Sequence, residues 1–387
     1  MNELLWLLLP VAAASGWFMA RRSATRGTQR GGELSSEYFK GLNYLLNEQP
    51  DEAIEVFIRM LEVDSDTVET HLALGNLFRR RGEVDRAIRI HQNLIARPTL
   101  SKEQRSEALL ELGQDYMRAG LFDRAESLFQ ELVENTTHLE PALRQLLAIY
   151  QQEKDWEQAV ATARQLGAAS GRPMNATIAQ FYCELGEDAR RSHDTARAQQ
   201  MIKRALAYDK HCVRASIMQG DMAREAGDLR GAIRFYRRVE EQDIEFLPEV
   251  IGPMRRCFEE QGNVDAMIDY LQRVLDRYEG VSPMLTLADL ILRRDGEPAA
   301  AAFVAEQLKR RPSVRGLERL IDLNLSRSAG DARDNLLILR ELVGQLLEHK
   351  PIYKCLHCGF TGKVLHWQCP SCKRWNVTKP IHGVEGE

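Results

Sequence analysis

A small residue followed twelve positions later by alanine recurs along most of this chain. The pairs that begin with glycine are Gly41 and Ala53, Gly75 and Ala87, Gly113 and Ala125, Gly186 and Ala198, and Gly220 and Ala232. The step from Ala53 to Ala87 is 34 residues, and so is the step from Ala198 to Ala232. A fixed period of this length is the signature of a repeat protein, whose units stack because none can bury its apolar face alone.

A second marker indicates that each repeat is a pair of helices. Glycine lies five residues before the repeat alanine, or before the residue in its place, at Gly82, Gly120, Gly227, Gly262 and Gly296. Glycine at this point is typical of a turn between two helices. Only 7% of the residues are aromatic, and 26 glycines and 13 prolines are few for an all-β fold. We therefore predict an all-α array of eight to nine antiparallel helix pairs over residues 35–348.

The period and the spacing resemble the tetratricopeptide repeat family, and residues 74–78 (LGNLF) and 86–88 (RAI) match its consensus. The resemblance implies helical hairpins that stack into a superhelix with a concave groove for peptides or proteins. By the register of the repeats, the candidates for lining this groove are Asn76, Arg79, Arg80, Gln114, Arg118, Gln151 and Arg224. Several are basic, which favours an acidic partner segment; the alternative is an ordinary solvated face. Arg255 and Asp289 stand where later repeats should carry a small residue.

Residues 1–20 are predicted to be a transmembrane anchor. Residues 4–20 carry no charge, and a helix of that length spans about 25 Å, enough for a thin bilayer core. Arginines follow within residues 21–34, which we interpret as a basic juxtamembrane linker: Arg21, Arg22, Arg26 and Arg30. Positive charge on this side places the N-terminus outside and the body in the cytoplasm. The alternative, a cleaved signal peptide, would need its positive charge before the apolar core.

Four of the seven cysteines form two Cys-x2-Cys pairs near the end of the chain, Cys355 with Cys358 and Cys369 with Cys372. Two such pairs are typical of a site in which four thiolates hold one metal ion. Iron and zinc both accept four sulfurs, so the spacing leaves the metal open. Because residues 349–387 are too few to own a core, we expect the metal to supply folding energy.

The other cysteines occupy helical repeat positions and are predicted to be buried and inert; they are Cys183, Cys212 and Cys257. His357 and His366 are predicted to be exposed rather than ligands, because the four sulfurs already complete the site. The aromatic residues of the terminal module are predicted to pack around the metal site or against the last helix pair; they are Phe360, Trp367 and Trp375.

The motifs CLHCG at 355–359 and CPSC at 369–372 resemble a rubredoxin-type knuckle pair, although Lys373 follows the second pair where rubredoxin has glycine. Together, the anchor, the tetratricopeptide array and this knuckle resemble the bacterial lipopolysaccharide assembly protein B family over essentially the full chain. That resemblance implies a single-pass inner-membrane adaptor with a periplasmic N-terminus. It implies that the adaptor promotes degradation of the lipid A pathway deacetylase by the membrane-bound AAA+ protease, and that it has a membrane-embedded partner that senses lipopolysaccharide.

Other classes of function are less well supported by the sequence. It contains no Gly-rich phosphate loop, GxSxG or HExxH motif, so we do not expect an enzyme. The formal net charge of −4 argues against a strongly basic nucleic-acid binder. Two alternatives stay open: a membrane-anchored electron carrier with an iron tetrathiolate site, and a zinc-ribbon nucleic-acid binder. Self-association into a homo-oligomer is also left open.

Overall fold

The computed structural model describes residues 38–44, 46–47, 49–63 and 68–387. The predicted anchor and linker, residues 1–20 and 21–34, lie outside these ranges. Within the described ranges, no helix combines the length and the apolar character needed to cross a membrane.

The repeat region is built of helices joined by short turns, as the periodicity predicts. Residues 38–44 are helical, and the helices that follow are α1 (Pro50–Val63), α2 (Val68–Arg80), α3 (Val84–Ile95), α4 (Lys102–Ala119), α5 (Phe122–Glu134), α6 (Leu139–Glu153), α7 (Trp156–Ser170), α8 (Asn175–Arg191), α9 (Thr195–Tyr208), α10 (Val213–Glu225), α11 (Leu229–Gln242), α12 (Leu247–Glu260), α13 (Val264–Leu275), α14 (Ser282–Asp295), α15 (Glu297–Arg310), α16 (Val314–Leu325) and α17 (Asp331–Glu348). A 3-10 turn, Ile244–Phe246, precedes α12. The predicted glycine turns are confirmed, for example by φ of 84° at Gly82 and 85° at Gly296.

The chain divides into two compact units. The first runs to Asp155 and includes Ala168–Gly171, and the second consists of Trp156–Gly167 and Arg172–Glu387. In the first unit α2 pairs with α3 and α4 with α5; in the second, α8 pairs with α9, α10 with α11, α14 with α15, and α16 with α17.

The repeat glycines allow a large side chain from the second helix of a pair to lie against the first helix. A Cβ atom on Gly113 would lie 2.5 Å from the ring of Phe129, and one on Gly220 would collide with the ring of Tyr236. Phe129 and Tyr236 are fully buried, so neither ring has room to move aside. The small residue of the sequence pattern therefore lies against the side chain sixteen positions later, four residues beyond the repeat alanine.

The later repeats replace this arrangement with ion pairs between helices. Arg255 on α12 lies 3.4 Å from the carboxylate of Asp289 on α14, and Arg319 on α16 lies 2.7 Å from the same carboxylate. The two residues that interrupt the repeat pattern thus pair with each other across successive first helices. At these two positions an ion pair between helices replaces the close contact of a small residue, and both segments remain helical.

The C-terminal module, which lies outside the range predicted to be all-α, contains a small sheet. Strands β1 (Tyr353–Cys355), β2 (Thr361–Gly362) and β3 (Thr378–Pro380) form an antiparallel sheet in the order β2–β1–β3. Tyr353 lies opposite Gly362 on one side and Pro380 on the other. The strands are only two or three residues long, too short to show the alternation of apolar and polar residues that indicates a strand in a sequence.

Candidate metal centre

Two similar turns present the four cysteines. In the first, the Cys355 N–H donates to the carbonyl of Phe360 at 2.7 Å, and in the second the Cys369 N–H donates to the carbonyl of Arg374 at 2.9 Å. Each turn needs a residue with positive φ directly after its second cysteine: Gly359 has φ 79° and Lys373 has φ 57°. Lys373 therefore takes the backbone conformation of the glycine that it replaces.

The four Sγ atoms converge on one point. All lie within 4.8 Å of one another, with Cys355 and Cys372 separated by 3.8 Å and Cys358 and Cys369 by 3.6 Å. A tetrahedron with metal–sulfur bonds of about 2.3 Å has edges of about 3.8 Å, so the donor set fits one tetrathiolate ion. His357 and His366 are exposed, as predicted.

The electrostatics of the cluster also favour a cation. A hydrogen bond from the backbone N–H of Phe360, with further hydrogen bonds from Ser371 and neighbouring thiols, lowers the pKa of Cys358 to about 6. The backbone N–H of Arg374 favours the Cys372 thiolate, but desolvation and the adjacent thiols outweigh it and raise the pKa of Cys372 to about 11. Thiolates this close destabilise one another unless a positive ion lies between them.

Substitutions at the two turn residues are expected to change the stability of the site in opposite directions. Lys373→Gly should stabilise the module by up to about 1 kcal/mol, because the left-handed conformation is strained for a residue with a Cβ. Gly359→Ala should destabilise it by about 1 kcal/mol for the same reason. The measurement is the chelator concentration that removes half of the bound metal. A lower concentration for Lys373→Gly than for the unmodified chain would contradict the account.

Two tryptophans of the module pack against helices of the second unit, to which the module belongs. The Trp375 ring lies edge-on to the rings of Trp156 on α7 and Phe181 on α8, with centroids 6.0 and 5.8 Å away. The Trp367 ring stacks on Phe246 at 5.1 Å. These contacts lie on earlier helices and not on the last helix pair, which was one of the two positions predicted for the tryptophans; packing around the metal stays a prediction. Phe360 instead lies edge-on to His366 of the same module.

Polar contacts surround this docking surface. The Tyr353 hydroxyl donates to the Glu249 carboxylate at 2.6 Å, and Lys379 forms an ion pair with Asp243 and lies over the Phe246 ring. Burial raises the pKa of Glu249, opposed by the hydrogen bond from Tyr353.

The end of the chain adds a further anchor to the same unit. The Glu387 carboxylate accepts from the backbone N–H of Ser282 at 2.8 Å and from its hydroxyl at 2.7 Å. An anion in the first turn of α14 is favoured by the unpaired N–H groups there. The metal module is thus held on α7, α8, α12 and α14 by contacts distant in sequence, which no local pattern could have revealed.

Four of the seven predicted groove residues come together in the first unit. Arg79, Arg80, Gln114 and Arg118 line one open recess with a volume of ≈ 400 Å³. Arg80 and Arg118 are exposed.

Arg79 and the groove candidates outside the recess have other contacts. Arg79, although it borders the recess, pairs with Glu111 and with the fully buried Asp115, and it donates to the Asn76 side chain. Gln151 and Arg224 do not line the recess; Gln151 donates to the Leu147 carbonyl. Arg79 therefore joins α2 to α4, with Asn76 holding its guanidinium, and the accessible charge of the recess comes from Arg80 and Arg118.

The three remaining cysteines are buried, as predicted: Cys183, Cys212 and Cys257 are at most 2% exposed. Burial raises the pKa of Cys183 and of Cys257, which keeps both thiols protonated. The Sγ atoms of Cys183 and Cys212 lie 3.8 Å apart.

Known protein families match both the repeat region and the C-terminal module of the chain. The rubredoxin metal binding domain model matches residues 353–380, and tetratricopeptide repeat models match residues 70–105, 183–245 and 256–280. Over its whole length, the chain is 44% identical to lipopolysaccharide assembly protein B of Escherichia coli K12, all of which it covers. The chain belongs to the lipopolysaccharide assembly protein B family.

The family match extends to a more distant relative. The chain is 37% identical to lipopolysaccharide assembly protein B of Haemophilus influenzae Rd, again with full coverage of both chains. Among solved structures, a crystal structure of MamA is 20% identical over 44% of this chain and 94% of its own, with a TM-score of 0.34.

Proposed function

We propose that this chain is an inner-membrane adaptor that regulates lipopolysaccharide synthesis by promoting proteolysis of the lipid A pathway deacetylase. The observation that supports it is the full-length relationship to proteins named lipopolysaccharide assembly protein B. The proposal includes an anchor at residues 1–20 and a body on the cytoplasmic side, which rest on the uncharged residues 4–20 and the arginines that follow them. The proposed partners are the membrane-bound AAA+ protease, the deacetylase and a membrane-embedded protein that senses lipopolysaccharide.

The proposed mechanism is a raised effective concentration. An adaptor that binds the protease and its substrate at one membrane patch makes their encounter nearly intramolecular, without taking part in the chemistry. Tetratricopeptide repeats suit this role because their hairpins present extended binding surfaces. The metal, iron or zinc, would hold the two cysteine turns together, so that its contribution is to the shape of the module.

The recess with Arg80 and Arg118 is the proposed site for an acidic segment of one partner. Crosslinking in native membranes, followed by purification of the adaptor, should recover both the protease and the deacetylase. The double variant Arg80→Glu/Arg118→Glu should lose one of the two and keep the other. Both side chains are exposed, so the free energy of unfolding should change by no more than about 0.5 kcal/mol.

A variant at Arg79 is the control that shows what loss of folding does in this experiment. Arg79→Glu removes one partner of the fully buried Asp115 and places a like charge beside it, and breaking a buried ion pair is strongly destabilising, by about 3–5 kcal/mol. Loss of binding through Arg79→Glu would therefore come with loss of folding. Recovery of neither partner by the unmodified adaptor would contradict the proposal.

A further inference from the structure

Cys183 on α8 and Cys212 at the start of α10 form a pair of buried thiols outside the metal site. Their Sγ atoms lie 3.8 Å apart, in contact, and the side chains are 0% and 2% exposed. The S–S bond of a disulfide is about 2.05 Å long, so an approach of about 1.8 Å would join the two sulfurs. The two residues are 29 positions apart, and the contact therefore links two successive helix pairs.

A buried amide is directed at one of the two sulfurs. Gln180, one turn before Cys183 on α8, donates from its side-chain N–H to the Cys212 Sγ at 3.6 Å. Gln180 is 3% exposed, and within the described residues its Oε1 atom has no hydrogen-bond partner. An unpaired buried polar atom costs free energy, which simple packing of two thiols would not require. An N–H donor beside the sulfur stabilises the thiolate, which is the reactive form of cysteine.

The surroundings make the two thiols unequal. Cys212 is the N-cap residue of α10, where the positive end of the helix dipole favours an anion. The hydrogen bond from Cys183 lowers the pKa of Cys212, against burial and the Asp209 carboxylate, which raise it. Burial raises the pKa of Cys183, and its hydrogen bond to Cys212 raises it further. Cys212 is therefore the thiol that ionises, while Cys183 stays protonated beside it.

The path from solvent to Cys212 is short. His211, directly before it, is exposed and borders an open recess with a volume of ≈ 540 Å³. A small oxidant such as hydrogen peroxide needs to pass only this one residue, whereas the active-site thiol of a redox enzyme would need the chain to open. The site is therefore suited to a peroxide.

We propose that Cys183 and Cys212 are a reversible oxidation site, at which a peroxide converts the two thiols into a disulfide between α8 and the start of α10. First, the Cys212 thiolate attacks hydrogen peroxide: an S–O bond forms, the O–O bond breaks and hydroxide leaves. Then the Cys183 sulfur attacks the resulting sulfenic acid: the S–S bond forms, the S–O bond breaks, and the Cys183 proton leaves with the oxygen as water. Both sulfurs are oxidised and the peroxide is reduced, and a dithiol restores the two thiols by exchange.

The disulfide would connect two of the helices that hold the metal module. Phe181 on α8 contacts the Trp375 ring, and the Arg214 guanidinium on α10 lies over the Trp367 ring. Arg214 also pairs with Glu184 on α8 at 2.7 Å. The inference goes beyond the adaptor function and does not depend on it, because the chemistry needs only the two thiols and a peroxide.

The experiment uses the full chain in detergent with its metal bound, treated with hydrogen peroxide and then unfolded in an alkylating reagent. Mass spectrometry of protease fragments should find Cys183 joined to Cys212 with the loss of two hydrogen atoms, and dithiothreitol should separate the fragments. Cys257 is the control, since it is equally buried and the thiol–thiol contacts of the described chain involve the other six cysteines. It should be recovered in alkylated form, and the metal content should stay unchanged.

Two variants test the order of the steps. Cys183→Ser keeps a hydroxyl that can donate to Cys212 but removes the second sulfur, so the sulfenic acid at Cys212 should persist and be trapped by dimedone. Cys212→Ser removes the thiolate, so Cys183 should remain a thiol and take up no dimedone. A pair that served only for packing would give neither result. Far-UV circular dichroism and metal content check that both variants fold.

Recovery of Cys183 and Cys212 in alkylated form, like Cys257, would overturn the proposal. A linked fragment that forms only in the urea-unfolded chain, or only together with loss of metal, would do the same. Equal dimedone labelling of Cys183 in Cys212→Ser and of Cys212 in Cys183→Ser would contradict the assigned order of attack.

Discussion

Replacing Cys355 with serine is expected to release the metal and unfold residues 349–387 while leaving the repeats helical. Cys355 is fully buried, and its backbone pairs with Thr378 on β3, so the same residue holds the ion and the sheet. Tetrathiolate sites in small modules contribute about 10 kcal/mol or more of folding free energy, much of which an incomplete set of ligands forfeits. The measurement combines metal content, protease resistance of the terminal module and far-UV circular dichroism of the helices.

Cys257→Ser is the matched control. Cys257 is equally buried but lies in α12, away from the metal site, so the change should cost only the burial of one hydroxyl, about 1–3 kcal/mol. Metal content should stay unchanged in this variant. Full metal content and full protease resistance in Cys355→Ser would show that the fourth thiolate is dispensable.

Replacing Trp375 with alanine is expected to undock the module without emptying its metal site. The indole fills the space beside Trp156 and Phe181, and truncation of a large aromatic side chain costs about 3–5 kcal/mol. The cysteine turns are closed by backbone hydrogen bonds that the substitution leaves in place. Hydrogen exchange should therefore increase around Trp156 and Phe181 while one equivalent of metal stays bound.

Leu356→Ala in the same module provides the comparison, since Leu356 is 71% exposed and should have no measurable effect. Loss of metal together with docking in Trp375→Ala would mean that the site depends on the helices for its assembly. Unchanged exchange at Phe181 would contradict the docking role given to this side chain.

The parts of the structure that the sequence predicts are those that repeat locally. The contact of Gly220 with Tyr236 recurs between other helix pairs, and each recurrence strengthens the same pattern. The two cysteine pairs can also be recognised in the sequence, because a chelating turn needs its ligands close together along the chain.

Contacts between distant segments leave no such pattern. Tyr353 and Glu249 are 104 residues apart, and neither type of residue in isolation indicates a docking surface. The Arg255–Asp289 pair was visible only as two departures from the repeat. Lys373 departs from the rubredoxin pattern in its side chain, although its backbone adopts the glycine conformation. In each case the sequence shows the residue, and only the fold shows its partner.

The adaptor function is tested most directly by the half-life of the lipid A pathway deacetylase in cells. Translation is blocked, and the deacetylase is followed in cells with the unmodified chain, without it, and with Trp375→Ala. The account predicts a short half-life with the unmodified chain, a several-fold longer one without it, and an intermediate value when the module is undocked. A half-life that is the same with and without the chain would contradict the proposed function.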